Sequence, residues 1–286
     1  MDHVQSGTGI KATETTLDVV EAVRDLDGAR PTDVAAELDV AKSTAHKHLT
    51  TLAQRGYLRK TGGGEYHIGL TFLNLGEYAR TRWPCYNLIR EAVTDLGDRT
   101  DEDVDFCVEE HGRVYTLCES YHKWEKYPDA GPGYRVDLGD WYYMHSVASG
   151  KAILATYNES EVRAVIDRWG LPALTDNTIT DVDALLAELE TVRERGYAVG
   201  DEEYVSGLRT VSMVVEPGDG PVLGALSVSG PAYRMTGPVL HEEIVSVLGE
   251  VVARLGERVA EERPGKFYAT GATSSGQDAS TTAETE

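Results

Sequence analysis

The sequence predicts an α+β protein of two domains: three short helices closed by a β-hairpin, then a linking helix and a larger domain built on an antiparallel sheet. Three observations lead there. A chain of 286 residues exceeds one ordinary core and suits two. Within residues 10–70, apolar spacing of three and four gives way to two short runs separated by glycines. Beyond residue 100, strand patterns come in adjacent pairs, without the strict strand–helix alternation of a doubly wound parallel sheet.

Leu17, Val20, Val23 and Leu26, with Val19 and Ala22 beside them, follow helical spacing, and Gly28 ends the run. Pro31 opens a second helix, Thr32 to Leu38, with Val34, Ala35 and Leu38 on one face. After Asp39-Val40-Ala41, a third runs from Lys42 to Gln54 and stops at Gly56. Ala45, Leu49 and Leu52 point inward from it, while Ser43, His46, Lys47, Thr50 and Gln54 share the opposite face. Tyr57–Lys60 and Glu65–Ile68 read as strands joined across Thr61-Gly62-Gly63-Gly64. Three helices and a hairpin in this order form a winged helix-turn-helix.

Charge singles out the same segment. The chain holds 27 Lys+Arg against 48 Asp+Glu, a net charge of −21, yet no acid lies between Asp39 and Glu65. Random placement would leave a window of that length free of acid about one time in a hundred. The window contains Lys42, Lys47, Arg55, Arg59 and Lys60, together with His46 and His48. Residues 1–70 sum to −2 and residues 71–286 to −19. A positive segment kept inside a negative chain suits a polyanion, and its small hydroxyl-bearing and basic face suits base edges and phosphates in a major groove. A merely solvated basic face is the plainer alternative. The acidic surface, with 19 Arg and only 8 Lys, matches proteins of salt-loving cells, where ionic strength screens self-repulsion.

Residues 70–84 read as a linking helix (Leu70, Leu73, Leu75, Ala79) that ends before Pro84. Val104–Glu109 and Arg113–Glu119 are strands around His111-Gly112; Ala148–Tyr157 and Glu159–Trp169 are helices. Asp181 caps a helix that reaches Arg195 and closes at Gly196. Leu208–Val215 and Pro221–Ser229 form a second hairpin, and a long helix from Pro238 to Glu261 completes the domain. The expected division is 10–70, 71–262, and a small, polar, acidic tail, 263–286, expected to be disordered.

Several classes are excluded or disfavoured. No stretch approaches 18 consecutive apolar residues, and the first residues have neither a basic start nor an apolar run, so the chain is expected in the cytoplasm. Cys85, Cys107 and Cys118 are too scattered for a metal knuckle or a disulfide framework and read as buried thiols. Ser149-Gly150-Lys151 hints at a phosphate loop, but that motif needs Gly where His145 stands and Ser or Thr where Ala152 stands. GxGxxG, GxSxG and HExxH are absent, and His46 and His48, two apart on a helix, cannot share a metal. No catalytic residue, metal ligand or cofactor is therefore assigned. A sensor or a metabolic enzyme acting without DNA is the rival reading.

Residues 12–76 resemble the DNA-binding domain of the IclR family of transcriptional regulators, through Lys42-Ser43-Thr44-Ala45-His46-Lys47, Gly56-Tyr57-Leu58 and Tyr66-His67-Ile68-Gly69-Leu70 in that order and spacing. The resemblance implies that the third helix is the recognition helix and the hairpin the wing. Lys42, Ser43, Thr44, His46, Lys47 and Thr50 would then meet the groove, with Arg59 and Lys60 at phosphates. It extends to about residue 260 through His145–Ala152, Gly170–Thr175, Arg195–Ala198, Asp201–Glu203, Gly207–Arg209 and Leu226–Pro231. These are similar to the family's effector-binding domain, whose GAF-like fold holds a small organic molecule on one face of the sheet. Carried over position by position, the pocket includes Ser146, Ala148, Ser149, Thr210, Ser227 and Ser229. The last two share a face because they are two apart on a strand.

Two departures keep the ligand open: Gly200 stands where the family often has an acid, and Thr210 where it often has cysteine. The hydroxyls and the helix start near Ala148 suit a small organic or sugar acid better than a polyphosphate, which would call for several cations where only Arg209 lies close. Arg209 is alternatively a brace to Glu202 or Glu203. These serines are alternatively no more than partners for sheet-edge and helix-start groups. The aromatic stretch Tyr121, Trp124, Tyr127, Tyr134, Trp141, Tyr142, Tyr143 fits a pocket lid, a core or a dimer surface equally well. The resemblance further implies a homodimer or tetramer on a near-palindromic duplex operator.

Overall fold

The computed structural model describes residues 9–120, 138–218 and 220–262. The chain divides between Trp83 and Pro84 into two compact units, and the linking helix belongs with the first.

In the first unit, α1 (Lys11–Asp25), α2 (Pro31–Glu37) and α3 (Lys42–Gln54) are followed by β1 (Leu58–Lys60), β2 (Tyr66–Ile68) and α4 (Thr71–Thr81). Asp39 takes up a left-handed conformation (φ 49°) in the turn between α2 and α3, a position that Asp tolerates better than most residues. Val19 and Val23 of α1, Val34 of α2, Ala45, Leu49 and Leu52 of α3, and Leu58 and Tyr66 of the hairpin make one core. Two expected inward residues fall outside it: Leu17 is 59 % and Leu26 40 % exposed. The buried stripe is Val19, Ala22 and Val23, and Leu17 lies about 200° around the helix from Val19, on the solvent side. Ala29 pairs with Tyr66 through two backbone hydrogen bonds, fastening the start of α2 to the wing. Gly69 follows β2 where nothing larger fits, because a Cβ there would lie 2.7 Å from the Gly56 carbonyl oxygen.

In the second unit, α5 (Tyr86–Thr100) precedes β3 (Asp103–Glu110), β4 (Arg113–Ser120) and β5 (Trp141–Tyr143). A 3-10 turn (Met144–Ser146) leads into α6 (Ala148–Leu154), α7 (Glu159–Trp169) and α8 (Val182–Arg195). Then come β6 (Ala198–Asp201), β7 (Leu208–Val215), β8 (Gly224–Pro231) and α9 (Val245–Glu262), the last entered through a π-helical turn, Val239–Ile244. Among the described residues the sheet order is β5-β4-β3-β8-β7-β6, every neighbour antiparallel. The α+β expectation holds.

Sequence spacing missed α5, β5 and β6, placed the last strand at Pro221–Ser229 where it is Gly224–Pro231, and ran α6 on to Tyr157 where it stops at Leu154. The two faces of the sheet are covered differently. α5 and α9 cover one face: Gly97 of α5 sits where a Cβ would come within 2.9 Å of the Ser120 hydroxyl, and Gly249 of α9 stands over Met213. The alternate residues meet α6, whose Ala148, Ala152 and Ile153 pack with Cys107, Val114 and Ala225 of the sheet and Leu185 and Leu189 of α8.

Candidate functional site

Strand parity and register assemble a polar patch on the face that meets α6. Asp105 of β3 lies opposite Ser227 of β8, which lies opposite Ser212 of β7; one step along, Ser229 lies opposite Thr210, and Thr210 opposite Gly200 of β6. A bulge in the β3–β4 pairing after Phe106 sets Thr116 beside Cys107. The start of α6 closes over this patch because Gly150 lets the helix seat on the preceding turn: a Cβ there would lie 2.2 Å from the Met144 carbonyl oxygen.

The result is a cavity of about 40 Å³. All six positions expected from the sequence (Ser146, Ala148, Ser149, Thr210, Ser227, Ser229) line it. So do groups that sequence reading did not assign to it, chiefly Asp105, Cys107, Tyr142, Glu203 and Tyr204. Of the aromatic stretch, Tyr142 reaches the wall, its ring edge-on to Tyr204 at 5.0 Å. Tyr121, Trp124, Tyr127 and Tyr134, and the tail 263–286, lie outside the described residues.

Several hydroxyls already have partners. Thr210 Oγ1 and Ser229 Oγ are 2.9 Å apart, and Ser146 Oγ donates to the Tyr143 carbonyl. Ser227 stands between Ser212 (3.1 Å) and Asp105, and its one proton serves one of them at a time. Burial pushes the Asp105 carboxyl up to about 6, against the lowering effect of hydrogen bonds from Cys107 and Ser227. The Cys107 thiol donates to Asp105 Oδ2 at 3.0 Å, and burial beside that carboxylate drives its own pKa well up, so it remains a thiol. Burial likewise holds His145 neutral, with Nε2 donating to the Pro172 carbonyl.

Lys151 is fully buried and belongs to Glu203 (Nζ–Oε1 2.6 Å) and Glu188 (3.5 Å). Desolvation still leaves the Glu203 carboxyl above its ordinary range. Arg209 braces Asp201 and, at 3.9 Å, Glu202, and donates to the carbonyls of Ala232 and Met235. The expected alternative partner Glu203 is instead held by Lys151.

The second candidate surface is α3 with the hairpin. Lys42, Ser43, His46 and Lys47 are exposed on α3, Thr44 and Thr50 half-buried beside them, and Arg59 and Lys60 exposed on β1. His48 turns inward and bonds Thr16 of α1 at 2.8 Å. No ion pair engages Lys42, Lys47 or Arg59 among the described residues, while Lys60 lies over the Tyr66 ring at 5.3 Å.

A three-helix unit with a basic outer helix and wing, followed in the chain by a sheet domain with a small pocket, is the make-up of a DNA-binding transcriptional regulator. Comparison with known proteins agrees: residues 12–62 match the model of the IclR helix-turn-helix domain, and residues 81–255 that of the bacterial transcriptional regulator IclR C-terminal domain. The chain belongs to the IclR family of transcriptional regulators. It is 28 % identical over 242 residues to a probable HTH-type transcriptional regulator, ArcR, of Halobacterium salinarum, covering 84 % of this chain and 90 % of that one. The crystal structure of Thermotoga maritima IclR aligns over 87 % of this chain and 97 % of its own, with a TM-score of 0.67 and 25 % identity. An IclR homologue of Microbacterium hydrocarbonoxydans, complexed with 4-hydroxybenzoate, shares the fold (TM-score 0.71, 20 % identity, 88 % of this chain and 99 % of that one). No described helix is long and apolar enough to cross a membrane.

Proposed function

We propose that the chain binds duplex DNA as a homodimer or a pair of dimers, on a near-palindromic operator of about 12–20 base pairs, and that a small polar metabolite in the sheet pocket shifts that affinity. The observation that carries the DNA half is a set of cations, Lys42, Lys47 and Arg59, that have no ion pair among the described residues. They stand on the exposed face of α3 and the wing in a chain of net charge −21. Ser43, Thr44, His46, Lys47 and Thr50 would face base edges, with Lys42, Arg59 and Lys60 at phosphates. A sensor or enzyme acting without DNA leaves this basic surface without a purpose.

The pocket half is supported by the convergence of Ser146, Ala148, Ser149, Thr210, Ser227 and Ser229 on one cavity, and by a fold relative that holds 4-hydroxybenzoate. The organic or sugar acid expected from these hydroxyls would set its carboxylate against Asp105 and Glu203. Those two carboxyls therefore govern the charge of the ligand. The acid-rich, Lys-poor composition suits a cytoplasm of high ionic strength.

Footprinting on genomic fragments at molar potassium chloride tests the reading. Protection of one near-palindrome with two half-sites about one DNA turn apart is expected. Protection of a single asymmetric half-site would count against a dimeric reader.

A further inference from the structure

Three polar groups facing the cavity are buried with fewer hydrogen-bond partners than their chemistry can take. Asp105 is buried, accepts from the Cys107 thiol and shares the Ser227 hydroxyl with Ser212, and has no cation beside it among the described residues. Glu203 gives Oε1 to Lys151, but its Oε2 is buried without a partner, on a side chain only 8 % exposed. The Tyr142 hydroxyl is buried with Thr116 beside it and no well-formed hydrogen bond. A carboxylate only accepts hydrogen bonds, and a buried acceptor without a donor is costly. Lys151, bound by Glu203 and Glu188, does not line the cavity, and His145 is neutral and engaged with Pro172. Among the described residues, the lining thus offers acceptors and no cation to hold an anion. At about 40 Å³ it has room for only a few water-sized groups, given roughly 10–15 Å³ for one.

We propose, resting on the reading of this cavity as the effector site, that its ligand is a small N–H-rich cation, an ammonium, amidinium or guanidinium group on a few heavy atoms, which donates to Asp105 and to the free oxygen of Glu203 beside the Tyr142 hydroxyl. This replaces the organic acid with a ligand of opposite charge. The proton linkage follows from the surroundings of Asp105. Among the described residues, Asp103 and Cys107 of its own strand, Glu119 opposite on β4, Tyr142 of β5, and Glu203 and Tyr204 beyond β6 are the titratable groups around the site; none of these is a cation, and Lys151 reaches it only through Glu203. With its carboxyl near 6, Asp105 is ionised at neutral pH and ready for a cation, whereas at acid pH a proton competes for it. A cation therefore binds best above about pH 7, and an anion would show the reverse.

Calorimetry on the full chain at constant molar potassium chloride, with methylguanidinium and methylammonium against acetate and glycolate as probes, decides between them. Methylguanidinium is expected to bind about tenfold more weakly at pH 5 than at pH 7.5, and Asp105→Asn to abolish both the tighter binding and its pH dependence. Should Asp105→Asn fail to fold, the pH profile of the unaltered chain carries the test alone. Binding of acetate or glycolate instead, tighter at pH 5 and in Asp105→Asn, overturns the cation and leaves the effector site standing. Methylguanidinium binding that is untouched by Asp105→Asn overturns both, since the ligand then sits elsewhere. Binding of neither class at millimolar concentration overturns the cation.

Discussion

An aspartate in an unfolded chain titrates near pH 4, whereas burial holds Asp105 at about 6. The folded state binds that proton more tightly, so the stability it contributes is present at low pH and is lost as pH rises from about 4 to about 6. The gap between those two values corresponds to on the order of 2–3 kcal/mol. Asp105→Asn is therefore expected to gain stability relative to the parent chain over that interval, measured by denaturant unfolding at pH 4 and pH 7; parallel changes in both proteins would contradict it. Ser146, Ala148, Ser149, Thr210, Ser227 and Ser229 were named through family resemblance, strand parity adding only that Ser227 and Ser229 share a face. Asp105 and Cys107 were not, because β3 is buried on both faces and shows no clean alternation. Glu203 escaped because its partner, Lys151, lies far away in sequence.

At the scale of elements, α6 positions the pocket through a close seat on the turn before it and a buried ion pair. Gly150→Ala would force Met144 and α6 apart, with a loss of about 1–3 kcal/mol in thermal or chemical unfolding and a weaker pocket. Lys151→Ala would leave Glu203 buried beside no cation, a larger loss of about 3–5 kcal/mol. If Lys151→Ala unfolds like the parent, the pair is not what fixes the loop carrying Glu203. The third helix was read with the bounds it has, because its apolar triad and Gly56 leave little choice. The missed α5 has an equally regular stripe, Leu88, Ile89, Ala92, Val93 and Leu96. What it lacks is a start signal, since the residue before it, Cys85, is left-handed and offers no side-chain cap. Searching for the stripe rather than the cap would have found it.

At the scale of the whole molecule, a net charge of −21 repels both itself and DNA. Screening reduces both effects, so the unfolding midpoint is expected to rise as potassium chloride goes from about 0.1 M to molar concentrations, where the Debye length is about 3 Å. A flat or falling midpoint would contradict a chain suited to high ionic strength. The α+β class was legible from spacing, while the expected division at 70/71 differs from the one at Trp83/Pro84, which keeps α4 with the first unit. The order of the sheet was not legible, because β3 pairs with β8 across more than a hundred residues and no local pattern encodes that neighbour.

The central claim is that the acid-free surface of α3 holds duplex DNA. The most direct measurement is a gel shift, at molar potassium chloride, of an operator fragment by the parent chain and by a Lys42→Ala/Lys47→Ala variant whose unfolding midpoint matches the parent's. Loss of the base-reading Lys47 contact is expected to cost about 1–3 kcal/mol and loss of the Lys42 phosphate contact adds to it, so the variant should need about tenfold more protein for half-shift. A half-shift at the same concentration for both proteins would contradict it.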